Sequence, residues 1–273
     1  MSKRRQLERR LKSYEEIGEI MNAMKSLAMI ETLKLTRFIG HQRRAVESIE
    51  AAARDVMSFH GHLLPDAQSR GNVYLLIGTE RGFCGNLNES LRPELDREWQ
   101  SRGPGALVLV GSRIISRLGD DPRVTARLGG ASVVEEVETI LLQLAAALRN
   151  LPRPLRFTVL YHRPDSDHVT VARLNPFPGG NQTAAHHAYP PRLNLEPMHF
   201  LQELGEQYLF AALHEAFYSA LLAENQRRVQ HMDGALRRLN ERSARMVRAC
   251  NRLRQEEITE EIEVIMLSPA AAQ

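Results

Sequence analysis

Cysteine is almost absent from this chain. Cys84 and Cys250 are the only two in 273 residues, and neither belongs to a C-x-x-C spacing, so no zinc or dithiol redox motif is present. Two free thiols in a reducing compartment is the simplest reading. Aromatic residues are also scarce, at 5%. Long apolar runs are missing: none approaches the ~18 residues that a membrane-spanning helix requires. The opening MSKRRQLERRLK lacks the apolar core of a signal peptide. These absences lead us to expect a soluble chain on the cytoplasmic side, reaching a membrane only through a partner. The net charge of +3 and pI near 9.0 are too weakly basic to mark a nucleic-acid binder.

Catalytic motifs are equally scarce. The stretch LLIGTERGFCGNLN, residues 75–88, has the form of a strand feeding a glycine-rich turn into a helix, where α/β proteins often hold a phosphate. Its glycines, Gly78, Gly82 and Gly85, give G-x-x-x-G-x-x-G instead of G-x-G-x-x-G. No G-K-[ST] follows, and the next strand, ALVLVG, ends in Gly111 and Ser112 with no acidic residue. The glycines therefore read as serving a tight turn and close helix–sheet packing. No histidine pair has the i, i+4 spacing of a helical metal site; His162, His168, His186, His187 and His199 read as solvated loop residues. There is no G-x-S-x-G elbow. We expect no catalytic residue, cofactor or metal site.

What the chain does have is period. Leu201, Leu204, Tyr208, Ala211, Glu215, Tyr218, Leu222, Asn225, Val229, Met232, Leu236, Leu239, Ser243, Met246, Cys250 and Leu253 recur by alternating threes and fours. Only Glu215, Asn225 and Ser243 interrupt the stripe. A period of 3.5 held this long predicts a left-handed coiled coil. Ile258, Ile262 and Ile265 resume the pattern in a new phase. At the other end Leu7, Leu11, Tyr14, Met21, Met24, Ala28, Leu35, Phe38, Ala45, Ile49, Ala52, Val56 and Phe59 mark one face, with no proline before Pro65. A lone helix of this length cannot bury its own stripe, so the two ends are expected to pair antiparallel.

Between them the texture is α/β. Strands are expected over 72–77, 106–111, 156–161 and 168–174, and a helix over 133–150, giving a mostly parallel sheet with an antiparallel edge. The predicted fold class is therefore a long antiparallel two-helix coiled coil with an inserted Rossmann-like α/β domain, an α+β/α/β mix. The expected boundaries are 1–64 for the first coiled-coil helix, 72–175 for the α/β domain, 176–197 for a linker and 198–268 for the last helix. Basic residues crowd both coil ends, from Lys3, Arg4 and Arg5 to Arg245, Arg248, Arg252 and Arg254. They suit either a solvated coil face or an acidic partner, and nucleic acid less well, since no aromatic residues interleave.

Three stretches together resemble the gamma subunit of F-type ATP synthases. RRLKSYEEIGEIMNAMKSLAMIE is similar to that family's R-x-x-K-S and I-x-x-A-M-K patterns. GTERGFCGNLN is similar to its S-D-R-G-L-C-G-x-x-N turn. ENQRRVQHMDGAL followed by NRLRQEEITEEIEVI resembles E-x-x-x-R-M-x-A-M and R-Q-x-x-I-T-x-E. The order and spacing span essentially the whole chain. The resemblance implies a non-catalytic rotor shaft that couples ion translocation through a membrane ring to ATP synthesis or hydrolysis on the beta subunits. It implies as partners the alpha and beta subunits of the alpha3-beta3 ring, the epsilon subunit and the membrane c-ring, with no nucleic acid and no cofactor. It places the chain peripherally at the cytoplasmic face of the cell membrane. Partner-contact or coupling positions would be Met24, Lys25, Arg228, Arg254, Gln255, Thr259 and Glu261. The chain departs from the pattern at Tyr14–Ile20, at Met29-Ile30-Glu31 and at Val229, as a divergent branch would. A coiled-coil adaptor with an α/β head is the alternative reading; it would share the heptads but has no reason to carry R-Q-x-x-I-T-x-E.

Overall fold

Alternation of side chains across a strand decides where the middle segment buries its apolar residues. In β1 (Gly71–Ile77), Val73, Leu75 and Ile77 face one side of the sheet, and Tyr74 and Leu76 face the other. Both sides are covered, so the strand reads as an unbroken apolar run. The computed structural model describes residues 3–63, 71–149, 155–164, 166–175, 177 and 189–267. Within them β1 pairs in parallel with β2 (Gly105–Val110) and β4 (Leu155–His162). β2 pairs in parallel with β3 (Val124–Leu128), and β5 (Val169–Leu174) closes the far edge antiparallel to β4. The strand order is β3-β2-β1-β4-β5.

Helices cover the two faces unequally. α2 (Leu87–Arg102) and α3 (Ser112–Leu118) bury Leu91, Leu95, Ile114 and Leu118 against Tyr74, Leu76, Leu107, Leu109 and Leu160. The opposite face receives α4 (Val137–Leu148) through Val137, Ile140, Leu141, Leu144 and Leu148. The same core takes in Leu35 and Ile39 from α1 (Lys3–His60), and Leu213, Phe217 and Leu221 from α5 (Pro197–Leu267). Single 3-10 turns stand at Gly61–Leu63 and Val134–Glu136. The strand β3 and the helix α3 escaped the sequence reading. RVTARL alternates apolar with polar, as suits an edge strand covered on one side only.

The chain divides into two units: one holds the α1 residues up to Ala28 with the α5 residues from Val229, the other holds Met29–Arg228. In the first unit α1 and α5 run antiparallel. Arg4 pairs with Glu257 at 2.9 Å, a Cβ on Gly18 would stand 3.3 Å from Leu239, and Lys25 meets Asp233 at 2.6 Å. Two helices alone cover little surface, so Leu7, Leu11, Tyr14, Met21 and Met24 are only half-buried. In the second unit the helices are again antiparallel: the rings of Phe38 and Tyr218 lie 6.1 Å apart, and Gln42 Nε2 donates to the Ala211 carbonyl at 3.0 Å.

The expected stripe needs one correction here. Phe38 is 49% exposed and Ala45 is exposed, whereas Ile39, Val46 and Ala53 are buried. From Leu35 onward the buried and half-buried positions of this face follow a four–three order, 35, 39, 42, 46, 49, 53 and 56, one residue later than expected at three points. The α5 stripe holds through Leu253, and two of its three polar interruptions have partners. Glu215 accepts from Arg43 and Arg163, both at 3.3 Å, and Asn225 Oδ1 accepts from Arg228 at 2.8 Å. Ile258, Ile262 and Ile265 are exposed at 46, 50 and 68%. The expected linker over 176–197 falls largely outside the described residues, as do residues 1, 2, 64 and 268 at the expected helix ends.

Candidate functional site

The glycine turn after β1 is densely hydrogen-bonded within the Met29–Arg228 unit. Gly78 lies so close to α3 that a Cβ there would stand 2.5 Å from Ile114 Cβ and 2.6 Å from Asn88 Oδ1. The glycine thus serves close packing, as its spacing suggested. Asn88, buried in the first turn of α2, accepts from the Thr79 N–H and donates to Thr79 Oγ1, both at 2.9 Å. Beyond Gly82 the backbone turns sharply: Phe83 and Gly85 both have positive φ, 64° and 66°. A bulky non-glycine residue there is uncommon and needs support from its surroundings. Phe83 projects its ring outward, 63% exposed.

Two carboxylates close around this turn. Glu80 accepts from Ser112 N at 2.8 Å, Ser112 Oγ at 2.5 Å and Gly130 N at 2.7 Å, tying together the segments that follow β1, β2 and β3. Burial disfavours its charge, but these hydrogen bonds outweigh that and hold Glu80 below the usual carboxylate range. Glu224 comes from α5. Its two oxygens accept the N–H groups of Glu80 and Arg81, each at 3.1 Å, and it pairs with Arg228 one helical turn on. Glu224 is 3% exposed and Arg228 4%. Burial pushes the Glu224 carboxyl upward, against the downward pull of Arg228 and the two N–H groups.

Arg228 gives Nε to the Gly82 carbonyl at 3.4 Å and Nη2 to Cys84 Sγ at 3.7 Å in the same turn, and Nη1 to Asn225 on its own helix. Cys84 is 4% exposed, and burial pushes its thiol up to about 12. A thiol so protonated and so enclosed is a poor nucleophile. The arrangement spends its charged and polar groups on one another and on the main chain. It can fix α5 to the sheet through paired charges and main-chain hydrogen bonds.

The remaining positions singled out from sequence are spread along the helices. Met24 is half-buried, and Lys25 is held by Asp233, which also accepts from Arg237 at 2.7 Å. Arg254, Gln255, Thr259 and Glu261 are all exposed on α5, with Thr259 Oγ1 bonded back to the Gln255 carbonyl at 2.9 Å. Only Arg228 reaches the glycine turn. Glu80 and Glu224 were not picked out from sequence. The available signal was that Glu224 and Arg228, an i, i+4 pair, continue the helical spacing of Phe217 and Leu221 along α5, and an ion pair facing inward needs a polar partner. His162 was expected in a solvated loop, but it ends β4 and is 4% exposed. Its Nε2 lies 2.9 Å from both Ser90 Oγ and the Leu87 carbonyl. Among the described residues no cluster of three His, Cys, Asp or Glu could hold a metal ion, and no helix is long and apolar enough to cross a membrane.

Comparison with known proteins gives this arrangement its family. The model of a family described as ATP synthase matches residues 3–272. An ATP synthase gamma chain of Desulforamulus reducens is 28% identical over 302 residues, covering 99% of each chain. One from Clostridium botulinum strain Langeland is 22% identical over 270 residues, covering 95% of each. The chain belongs to the ATP synthase gamma-chain family. Solved structures agree on the fold of this gamma-chain relative. A chain of the Euglena gracilis mitochondrial ATP synthase, in an OSCP/F1/c-ring assembly, superposes with TM-score 0.59 at 17% identity, covering 98% of this chain and 94% of its own. A chain from the central stalk and c-ring of the Tetrahymena thermophila mitochondrial enzyme gives 0.57 at 16% identity, covering 79% and 99%.

Proposed function

We propose that this chain is the central rotor shaft of an F-type ATP synthase, coupling ion movement through a membrane ring to nucleotide chemistry on other subunits. The observation that carries the reading is the antiparallel pairing of two helices of 58 and 71 residues whose chain between them folds as an α/β sheet. A paired coil resists twisting better than one helix, as a shaft must. An ion-driven ring would turn it, and its asymmetry would force three catalytic sites through different affinities.

The alpha3-beta3 ring and the c-ring are its proposed partners, with the epsilon subunit beside the α/β domain. The chain then works peripherally, at the cytoplasmic face of the membrane. Its outer surface meets three copies of one surface in turn, so broad charge attraction suits it better than deep interlocking pockets. Exposed Arg254, Gln255, Thr259 and Glu261, with Met24 and Lys25, are the positions we assign to contact with the ring. Arg228 has its guanidinium turned inward, and we assign it to coupling by positioning α5.

Co-expression with the alpha and beta subunits of the same genome tests this reading. An ATPase-active complex with one copy of this chain per three alpha–beta pairs is expected. A monodisperse chain that never joins such a complex would overturn the rotor reading in favour of an adaptor.

A further inference from the structure

Open α/β sheets bind their ligands outside the carboxyl ends of their strands, and here the segments following β1, β2 and β3 meet around Glu80. The backbone just past β1 presents two neighbouring N–H groups, of Glu80 and Arg81, and both point at one carboxylate, that of Glu224. Each oxygen takes one N–H at 3.1 Å, and the Arg228 guanidinium adds a cation. This donor set is that of an oxyanion cradle: adjacent main-chain N–H groups and a buried arginine. From the geometry we infer that the turn after β1 is a carboxylate-binding cradle filled in cis by Glu224, and that it accepts a small free carboxylate once that side chain is shortened.

Three features support this. Glu224 is 3% exposed, so its carboxylate is held as a buried ligand and not as a surface charge. Arg228 is fixed independently, through Asn225 and the Gly82 carbonyl, so the cation stays in place when the carboxylate is gone. A small cavity bounded by Gly78, Gly130, Phe217, Leu221 and Glu224 already adjoins the site, adding room to what truncation at 224 would free. Removing the carboxylate leaves two partly buried N–H groups and a buried cation without their acceptor, which is the driving force for capturing a free anion. The planar –CO₂⁻ of formate matches the group removed, while a tetrahedral phosphate exceeds it in size.

The test is chemical rescue in the purified full-length chain, read by thermal unfolding at fixed ionic strength. Glu224→Ala should unfold at a lower temperature than the unaltered chain in chloride. Titrated formate should then raise its midpoint saturably, as binding to the folded state alone requires. Glu224→Gln, which keeps the space filled, and the double variant Glu224→Ala with Arg228→Met should gain no more from formate than the unaltered chain does. If formate moves Glu224→Ala no further than it moves these controls, the cradle inference is wrong. Should Glu224→Ala not be recovered folded, its refolding yield in formate against chloride reads the same property: a formate-specific gain supports the cradle, and equal yields overturn it. Neither readout depends on the rotor assignment.

Discussion

Lys25 on α1 and Asp233 on α5 form the closest charged contact between the paired helices of the coil, 2.6 Å from Nζ to Oδ1. Asp233 takes Arg237 as well, and these two cations hold its carboxyl below the usual range, Lys25 foremost. The depressed value fixes the sign of the pH dependence. The pair supports the coil above the ordinary aspartate pKa, and its contribution disappears as pH falls through the lowered one. Lys25→Met should therefore lower the urea midpoint of the chain near neutral pH, and the difference from the unaltered chain should shrink in acid. Both side chains are about one-third exposed, so the effect is small and weakens with added salt. An unchanged difference at low pH would assign the effect to packing of the lysine stem.

A second prediction concerns the unequal cost of breaking and removing a buried ion pair. Arg228→Met leaves Glu224 buried beside two N–H groups but without its cation, and should destabilise the chain by about 3–5 kcal/mol. Combining Arg228→Met with Glu224→Gln removes the orphaned charge while keeping an acceptor for one N–H. The double variant should be more stable than Arg228→Met alone, in clear departure from additivity. Denaturant melts of the four proteins measure it. Additive losses would mean that the two side chains act independently.

How much of this could be read from sequence follows from what each residue needs to make its place evident. The helices of the coil were legible because their apolar positions recur over many turns, and the central strands because burial on both faces leaves unbroken runs such as VYLLI. β3 was missed because an edge strand covered on one side shows only alternation, and RVTARL is too short for alternation to stand out. The glycine turn shows no phosphate motif in sequence, and the reason for Gly78 lies in Ile114, 36 positions away. Of the residues around it, Arg228 was singled out by resemblance alone. Glu80 and Glu224 become meaningful only when the sheet brings residues 112, 130 and 224 to one place; the i, i+4 spacing of Glu224 and Arg228 marks a pair on one helix face but not what that pair meets.

The register of α1 gives a third prediction and tests the corrected stripe directly. Ile39 is 6% exposed within the sheet-facing core, whereas neighbouring Phe38 is 49% exposed. Ile39→Ala should cost about 2–5 kcal/mol, as truncating a buried aliphatic residue does. Phe38→Ala removes a larger side chain but should cost less, since it forfeits only part of its burial and its contact with Tyr218. Denaturant midpoints of the two variants decide the register. A greater loss at Phe38 would restore the phase that sequence periodicity first suggested.

His162 provides the last prediction. It is buried, its Nδ1 has no hydrogen-bond partner, and its Nε2 lies against the Leu87 carbonyl and Ser90 Oγ. Burial lowers its pKa from 6.5; the bond to Leu87 opposes this and the Arg227 cation adds to it. The folded chain therefore keeps this imidazole neutral at pH values where the unfolded chain protonates it. Between the two pKa values the unfolded state binds more protons, so stability falls as pH drops below about 6.5 and levels off below the folded value. His162→Gln carries no titrating ring, and its amide can still donate to the Leu87 carbonyl. Its stability should change less over the same interval, so subtracting the two profiles removes the other histidines. The subtracted curve should decline toward acid from about pH 6.5, the ordinary histidine value that the unfolded chain retains. A rise instead would mean that the folded chain holds this ring protonated, with its Nδ1 bonded to an acceptor supplied by rearrangement around β4.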